Sequence, residues 1–304
     1  MELNKASLLQ LFRARNITAL KTLGQNFLMD TNFLQFIIKT AELNRDDNIL
    51  EIGSGPGILT HLLAQNAGYV WAVEIDSNLL EISRELYGEL PNIKFIRTSI
   101  LNRKRDGINP DVLNVIDKNI DSLKVISNLP YKTAVPIIML LLESKLPIKM
   151  MILMVQLEIA QRLTAAPGAH NYSPVSIICH YLAQSKILRK VPPDVFWPKP
   201  EVYSSLILLT PTKRFPADFL KADYYLLKKF LKLIFSYRRK IVIRALQNAL
   251  DNLGIDSQQS RIEELLSASQ IEPTLRPQKI TPEEYLRLFG NFKSYFGKLL
   301  KYEE

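Results

Sequence analysis

The chain has 304 residues and a hydrophobic fraction of 47%, which is enough for two domains that each bury a core. Its 39 Lys and Arg residues against 30 Asp and Glu give a formal net charge of +9, which favours a polyanionic partner but also fits a merely basic globular protein. One cysteine, Cys179, excludes an intrachain disulfide, and with only three His residues we expect no metal site. No signal-peptide core is visible, and the longest apolar run is far shorter than the roughly 20 residues of a membrane span. We therefore expect a cytoplasmic protein that does not insert into a membrane.

Short β-rich runs alternate with helical patterns through the first two thirds of the chain, which predicts a doubly wound α/β fold with a parallel sheet. The predicted strands are 48–52, 69–75, 93–96, 123–127 and 150–155. Two further candidate strands, 186–191 and 204–210, should add antiparallel to the sheet edge. After Pro211 the β pattern stops and helices follow. We therefore predict a catalytic domain over 1–211 and a helical domain over 212–304.

A glycine-rich turn follows the first strand, with glycines at positions 53, 55 and 57 and a helical pattern from Ile58. Such a turn lets backbone approach a ligand at the carboxyl end of a strand, where α/β sheets bind ligands. A dinucleotide site is disfavoured, because Ile58 stands where the fingerprint needs Gly or Ala and Pro56 removes an amide donor. Gly53 and Gly55 are therefore candidate contacts for a cofactor without a pyrophosphate.

An acidic residue ends the second strand. Glu74 lies 21 residues after Gly53, where a carboxylate can accept hydrogen bonds from both hydroxyls of a ribose. S-adenosylmethionine is an adenosine cofactor without a pyrophosphate, so it satisfies both features. Asp76 is a second candidate ligand. The alternative for both carboxylates is a solvated position at a strand end.

The fourth strand delivers Asn128, Leu129, Pro130 and Tyr131 to the same edge of the sheet. These residue types suit methylation of an aromatic amine, whose lone pair is delocalised into the ring. An Asn128 side-chain oxygen and a main-chain carbonyl of the turn could accept the two amine hydrogens, so that the nitrogen pyramidalises towards a sulfonium methyl. Pro130 would fix the carbonyl before it, and Tyr131 would offer a ring for a flipped-out base. The alternative is an ordinary Asn-x-Pro turn with Tyr131 in the core.

A helix predicted over 224–250 carries a basic face. Lys228, Lys232 and Arg239 fall within roughly 40° of one another at about 100° per residue. Such a face is usually only solvated, but it also suits RNA phosphates. The candidate RNA contacts are Lys228, Lys232, Arg238, Arg239 and Lys240.

Over almost its whole length the sequence resembles the ribosomal RNA adenine dimethyltransferase family, whose bacterial member is the kasugamycin-resistance enzyme. The motifs that carry the resemblance lie at 23–28, 51–57, 73–76, 128–131, 156–168, 195–204 and 235–240. The resemblance implies a class I, Rossmann-like methyltransferase fold with a small C-terminal helical domain that helps to hold RNA.

The resemblance also implies roles for single residues. Asn26 and Leu28 correspond to the segment that closes over the cofactor, and Gly53 to the residue against its methionine part. Asn128 is implied as both a cofactor neighbour and the acceptor for the adenine amine. Phe196 resembles a second aromatic residue that sandwiches the target base opposite Tyr131, although on its own it is typical of a loop aromatic.

One position departs from the family pattern. Where the family usually has an Asp that binds the adenine amine of the cofactor, this chain has Ser99. A hydroxyl still accepts a hydrogen bond, but a charged acceptor is typically stronger by about 1 kcal/mol. We therefore expect weaker cofactor binding or a compensating contact.

The family implies dimethylation of N6 in two adjacent adenines, in the 3′-terminal hairpin loop of 16S small-subunit ribosomal RNA. The expected partner is this RNA in an immature 30S particle, and we expect a monomer with a role in ribosome biogenesis. One rival is the related resistance methyltransferase that modifies large-subunit RNA. Another is an assembly factor or organellar transcription factor that keeps the fold and binds RNA but has no methyltransferase activity.

Overall fold

The computed structural model describes residues 5–116, 119–212, 214–216, 219, 221–255 and 257–296. These residues form two compact units. The first contains the described residues up to Ala160 together with Ala183–Pro211, and the second contains Gln161–Leu182 and the described residues from Thr212 onward. The predicted division near residue 212 lies at a unit boundary. It differs from the structure in assigning Gln161–Leu182 to the first domain.

A seven-stranded sheet forms the centre of the first unit, with strand order β4-β3-β2-β5-β6-β9-β7. The strands of this unit are β1 (Phe27–Leu28), β2 (Asn48–Ile52), β3 (Tyr69–Glu74), β4 (Ile93–Arg97), β5 (Leu123–Asn128), β6 (Ile148–Gln156), β7 (Ala183–Val191), β8 (Phe196–Trp197) and β9 (Ser204–Pro211). The five strands from β4 to β6 are parallel, while β9 and β7 add antiparallel. The predicted α/β fold, a parallel sheet with two antiparallel strands added at one edge, is confirmed.

Helices cover this sheet because their apolar residues recur at helical spacing. Those that belong to the first unit are α1 (Lys5–Ala14), α2 (Thr31–Ala41), α3 (Ile58–Asn66), α4 (Ser77–Tyr87), α5 (Pro110–Val115) and α6 (Ala134–Glu143), and α7 (Leu157–Leu163) runs out of it. Buried Phe33, Ile37 and Ala41 of α2 follow the i, i+4 pattern and join a core with Ile49 of β2. The Asp30 carboxylate accepts a hydrogen bond from the Phe33 amide at 2.7 Å and so caps α2, which typically stabilises a helix by about 1 kcal/mol.

The second unit is helical, as predicted. Its elements are α8 (Pro174–Leu182), α9 (Lys221–Phe235), α10 (Val242–Asp251), α11 (Gln259–Ala268) and α12 (Pro282–Phe296). Among the described residues, none of the helices combines the length and apolar character needed to cross a membrane.

The single helix predicted over 224–250 is wrong, because the chain leaves the helix after Phe235 and starts a new one at Val242. The buried stripe of α9 includes Leu227, Leu231 and Ile234. Its next core-facing position is Arg238, which is exposed, so continuing the helix would bury no further apolar side chain there. Arg239 therefore lies in the turn between α9 and α10, and the helical-face argument that grouped it with Lys228 does not hold.

Candidate active site

A cavity opens at the carboxyl edge of the parallel strands β2, β3 and β5. Among the residues that line it, those predicted from the sequence are Asn26, Gly53, Gly55, Glu74, Ser99, Asn128, Leu129, Pro130 and Tyr131. Leu28 lines a neighbouring recess together with Gly53, Ser54 and Asn128. Asp76 and Phe196 line neither. The structure therefore brings most of the predicted residues to one place.

The glycine turn gives the cavity a wall of backbone. Gly53 has φ of 73°, and its amide and that of Ser54 donate to the Val73 carbonyl at 2.8 and 3.2 Å. Gly55 has φ of 56°, and a Cβ atom there would lie 3.2 Å from the Phe27 ring. Any other residue at position 55 would be strained and crowded, so the turn keeps its backbone open to the cavity.

Backbone amides hold the Glu74 side chain, which is only 6% exposed. The Gly55 amide donates to Oε2 at 2.8 Å, and the amides of Ile75 and Asp76 both donate to Oε1 at 2.8 Å. Burial raises the pKa of Glu74, and these three hydrogen bonds oppose that rise. Since a carboxylate has about four acceptor sites, Oε2 keeps one for a hydroxyl group in the cavity.

Asp76 has a different role from the predicted one. Its Oδ1 atom accepts from the Asn78 amide at 3.0 Å, so it caps α4, and its Oδ2 atom accepts from the Gln25 side chain at 2.8 Å. Both oxygens therefore have protein partners, and Asp76 is not part of the cavity wall. This geometry does not support the predicted hydrogen bond between Asp76 and the cofactor.

Ser99 lines the cavity and is half-buried. Its Oγ atom accepts from the Leu101 amide at 3.1 Å. The hydroxyl is therefore anchored on the backbone and keeps its own hydrogen and a second lone pair. This position agrees with the sequence expectation, whereas the cofactor contact itself remains a prediction.

The Asn128 amide is fixed by the segment that precedes β1. Its Nδ2 group donates to the Asn26 carbonyl at 2.7 Å. Because a carbonyl can only accept, the Asn128 atom that faces it must be the nitrogen. The Oδ1 atom of the same amide is consequently the acceptor that Asn128 can present to a substrate.

Pro130 and Tyr131 complete this side of the cavity. A Cβ atom on Gly53 would lie 3.6 Å from Cδ of Pro130, so the glycine turn and the proline turn pack closely. The Tyr131 hydroxyl lies 2.6 Å from that of Ser204, which is fully buried at the start of β9. Burial raises the pKa of Tyr131, and the bond with Ser204 opposes part of that rise. The Tyr131 hydroxyl is therefore protonated, and its hydrogen bond with Ser204 fixes the position of the side chain.

Phe196 is the largest departure from the predicted site. Its ring is 2% exposed and lies in the core with Leu28 and Phe33. Strand β8 pairs antiparallel with β1, so that Phe196 stands opposite Leu28. This pairing turns Phe196 inward, and the structure does not bring it to the cavity opposite Tyr131.

Some cavity residues were missed by sequence reasoning. Gln25 and Ile75 both line the cavity. Ile75 is 52% exposed, although large apolar side chains are usually buried. An apolar residue directly after the acidic strand end was the available signal for Ile75. Nothing in the local sequence marks the Gln25 contacts, because they join residues far apart in the chain.

The predicted RNA contacts lie in the second unit. Lys232, Arg238, Arg239 and Lys240 are exposed. Lys228 is half-buried, with Nζ 5.0 Å from the centre of the Tyr224 ring and 5.7 Å from that of Tyr225. Its charge is therefore engaged with aromatic rings as well as solvent. Contact of these side chains with RNA stays a prediction.

The family model described as ribosomal RNA adenine dimethylase matches residues 16–293 of this chain. Ribosomal RNA small subunit methyltransferase A of Alkaliphilus oremlandii is 38% identical over 89% of this chain and 91% of its own length. The protein of the same name from Shouchella clausii is 34% identical over 91% of each chain.

Two solved structures share the fold. A dimethyladenosine transferase from Plasmodium falciparum is 22% identical with a TM-score of 0.71, covering 88% of this chain and 98% of that chain. The 23S rRNA methyltransferase ErmE is 24% identical with a TM-score of 0.62, covering 88% of this chain and 99% of that chain. At these identities the likeness concerns the fold alone.

Proposed function

This chain belongs to the ribosomal RNA adenine dimethylase family, and from this premise we propose that it dimethylates N6 of two adjacent adenosines in small-subunit ribosomal RNA. The proposed target is the 3′-terminal hairpin loop of 16S RNA. The observation that carries the proposal is the Asn128 amide, whose nitrogen is engaged by the Asn26 carbonyl so that its oxygen is left for an amine.

The cavity residues fit S-adenosylmethionine, which supplies an electrophilic methyl group on a sulfonium. Gly55 offers open backbone where a Cβ atom would crowd the Phe27 ring. Glu74 keeps an acceptor site on Oε2, which suits a ribose hydroxyl. We assign Gly53, Asn26 and Ser99 to the same cofactor, because all three line this cavity.

Two acceptors orient the target amine in the proposed mechanism. Asn128 Oδ1 accepts one N6 hydrogen, and we assign the second to the Leu129 carbonyl. The Pro130 carbonyl is less suited, since it already accepts from the Thr133 amide at 3.1 Å. In the first transfer, drawing both hydrogens towards acceptors localises the nitrogen lone pair and aims it at the methyl carbon, and the second transfer starts from an amine with one hydrogen left to bind.

The transfer needs no general base before the methyl group moves. Bound S-adenosylmethionine would supply the methyl group: its S–C bond would break as the N–C bond formed, with S-adenosylhomocysteine as the leaving group and a positively charged amine on the base. That amine is acidic and loses its proton to solvent. Tyr131 contributes its ring face to the flipped base, since Ser204 holds its hydroxyl and the raised pKa keeps it neutral.

RNA binding is assigned to exposed cations of the second unit. Four exposed side chains can neutralise phosphates: Lys232, Arg238, Arg239 and Lys240. Lys228, on α9, adds a further positive charge. We further propose that the protein acts as a monomer in the cytoplasm, on an immature 30S particle.

Labelled S-adenosylmethionine incubated with immature small subunits tests this function. We expect label in N6,N6-dimethyladenosine of the small-subunit RNA, and a loss of about 100-fold or more in rate for Asn128→Ala. Asn114→Ala, which changes an exposed asparagine of α5, is the matched control and should keep full activity. Label in large-subunit RNA, or in neither RNA, would contradict the proposal.

A further inference from the structure

The segment 20–28 touches two strand ends of the cavity through hydrogen bonds. Gln25 makes the first contact through both the oxygen and the nitrogen of its side-chain amide. Its Oε1 atom accepts from the Leu20 amide at 2.7 Å, and its Nε2 group donates to Asp76 Oδ2 at 2.8 Å. Gln25 therefore closes a tight loop within the segment and ties that loop to the end of β3.

Asp76 is itself tied to the proposed cofactor ligand. Its amide donates to Glu74 Oε1 at 2.8 Å, and its Oδ1 atom caps α4. The Gln25 side chain thus binds a residue with little freedom to move, because Asp76 is hydrogen-bonded both to Glu74 of β3 and to the first turn of α4.

The residue after Gln25 makes the second contact. The Asn26 carbonyl accepts from Asn128 Nδ2 at 2.7 Å, which fixes the direction of the catalytic amide. Asn26 is restrained on both sides, by the Gln25 side chain before it and by the pairing of Phe27 with Trp197 after it, so the Gln25 contacts are the restraint on its N-terminal side. A backbone shift at Gln25 would therefore move the Asn26 carbonyl relative to Asn128.

We propose that Gln25 is a positioning residue for methyl transfer. By clamping segment 20–28 to Asp76, it holds the Asn26 carbonyl where that carbonyl sets the Asn128 amide. The clamp connects the cofactor end of β3 with the catalytic end of β5. This inference rests on the proposed role of Asn128 as the acceptor for the substrate amine.

A double-mutant cycle tests the clamp. Gln25→Ala removes the side chain, and Asp76→Ser removes the acceptor while keeping a residue that caps helices well. We expect each to lower kcat by about 10- to 100-fold, because small misplacements of a catalytic group have effects of that size. The dissociation constant for S-adenosylmethionine, measured by calorimetry, should rise by a smaller factor than kcat falls, because Glu74 keeps its three amide donors in both variants. The double variant should lose no more than either single one.

A reversed clamp provides the rescue. Gln25→Glu alone sets two carboxylates against each other and should be as slow as Gln25→Ala. Combined with Asp76→Asn, it again pairs a donor with an acceptor, and the cap oxygen is retained. We expect this pair of changes to recover most of the lost kcat. Gln65→Ala, at an exposed position of α3, is the matched control.

An activity-independent measurement separates this inference from the proposed function. The side-chain amide signals of Asn128 in a ¹⁵N spectrum, identified by their loss in Asn128→Ala, should move towards values of a free amide in Gln25→Ala. Additive losses in the cycle, absence of rescue or unchanged Asn128 signals would overturn the clamp. If the wild-type protein methylates no small-subunit RNA while the signals do move, the proposed function fails, and Gln25 still orients the Asn128 amide but for another reaction.

Discussion

Two buried glutamates on neighbouring strands of the sheet have opposite surroundings. Glu74, at the end of β3, accepts hydrogen bonds from three backbone amides and lines the cavity. Glu51, near the end of β2, is 2% exposed and its Oε2 atom accepts from the Thr60 hydroxyl at 2.6 Å. Both carboxyl groups lose hydration, but only Glu74 gains a set of donors suited to an anion.

The difference explains why we propose Glu74 as a cofactor ligand and assign Glu51 a structural role. Burial raises the pKa of Glu51 to about 8, and the Thr60 bond offsets only part of this rise, to which the charge of Glu74 adds. At pH 7 the protonated, neutral form of Glu51 therefore predominates. Glu74 accepts hydrogen bonds from three N–H donors, and these bonds favour the ionised form of its carboxyl group.

Protein stability as a function of pH gives the strongest test of this comparison. The folded pKa of Glu51, about 8, lies above its ordinary value of 4.5, so the folded state binds the extra proton between these values. The resulting stability is fully present below about pH 4.5 and is lost as pH rises towards about 8, by up to about 1.4 kcal/mol per pH unit. Glu51→Gln should remove this slope in urea unfolding between pH 5 and pH 8. Parallel curves for both proteins would show that Glu51 is ionised in the folded state.

Cofactor affinity tests the other half of the comparison. Glu74→Gln removes the charge and turns an amide donor towards backbone N–H groups, which leaves buried donors unpaired. We expect S-adenosylmethionine to bind about 100-fold more weakly to this variant in calorimetry. Glu51→Gln is the matched control, and its affinity should stay within about 3-fold of the wild type because Glu51 is already neutral. Equal losses in the two variants would remove the distinction between the carboxyl groups.

The contrast between the two glutamates also marks how far sequence reasoning reaches. The strand pattern and the glycine turn predicted the fold and the edge where the cavity lies, because alternation and strand ends are local features. The same reasoning offered Asp76 as a cofactor ligand, since it could not see Gln25 arriving from 51 residues away. The family resemblance, not the residue pattern, placed Phe196 beside the base, whereas the pairing of β8 with β1 buries that residue. Contacts between distant segments decide those roles, and no local pattern encodes them.

A third carboxyl group, introduced at the same edge, gives the finest test. Ser99 is half-buried and its Oγ accepts from the Leu101 amide at 3.1 Å, so an aspartate there would have an N–H donor, as Glu74 has. We expect Ser99→Asp to bind S-adenosylmethionine a few-fold more tightly, because a charged acceptor adds about 1 kcal/mol over a neutral one. Ser99→Ala is the control and should bind slightly more weakly than the wild type. Unchanged or weaker binding of Ser99→Asp would mean that repulsion from Glu74 outweighs the added hydrogen-bond strength, and that backbone donors alone do not make a carboxylate a ligand at this edge.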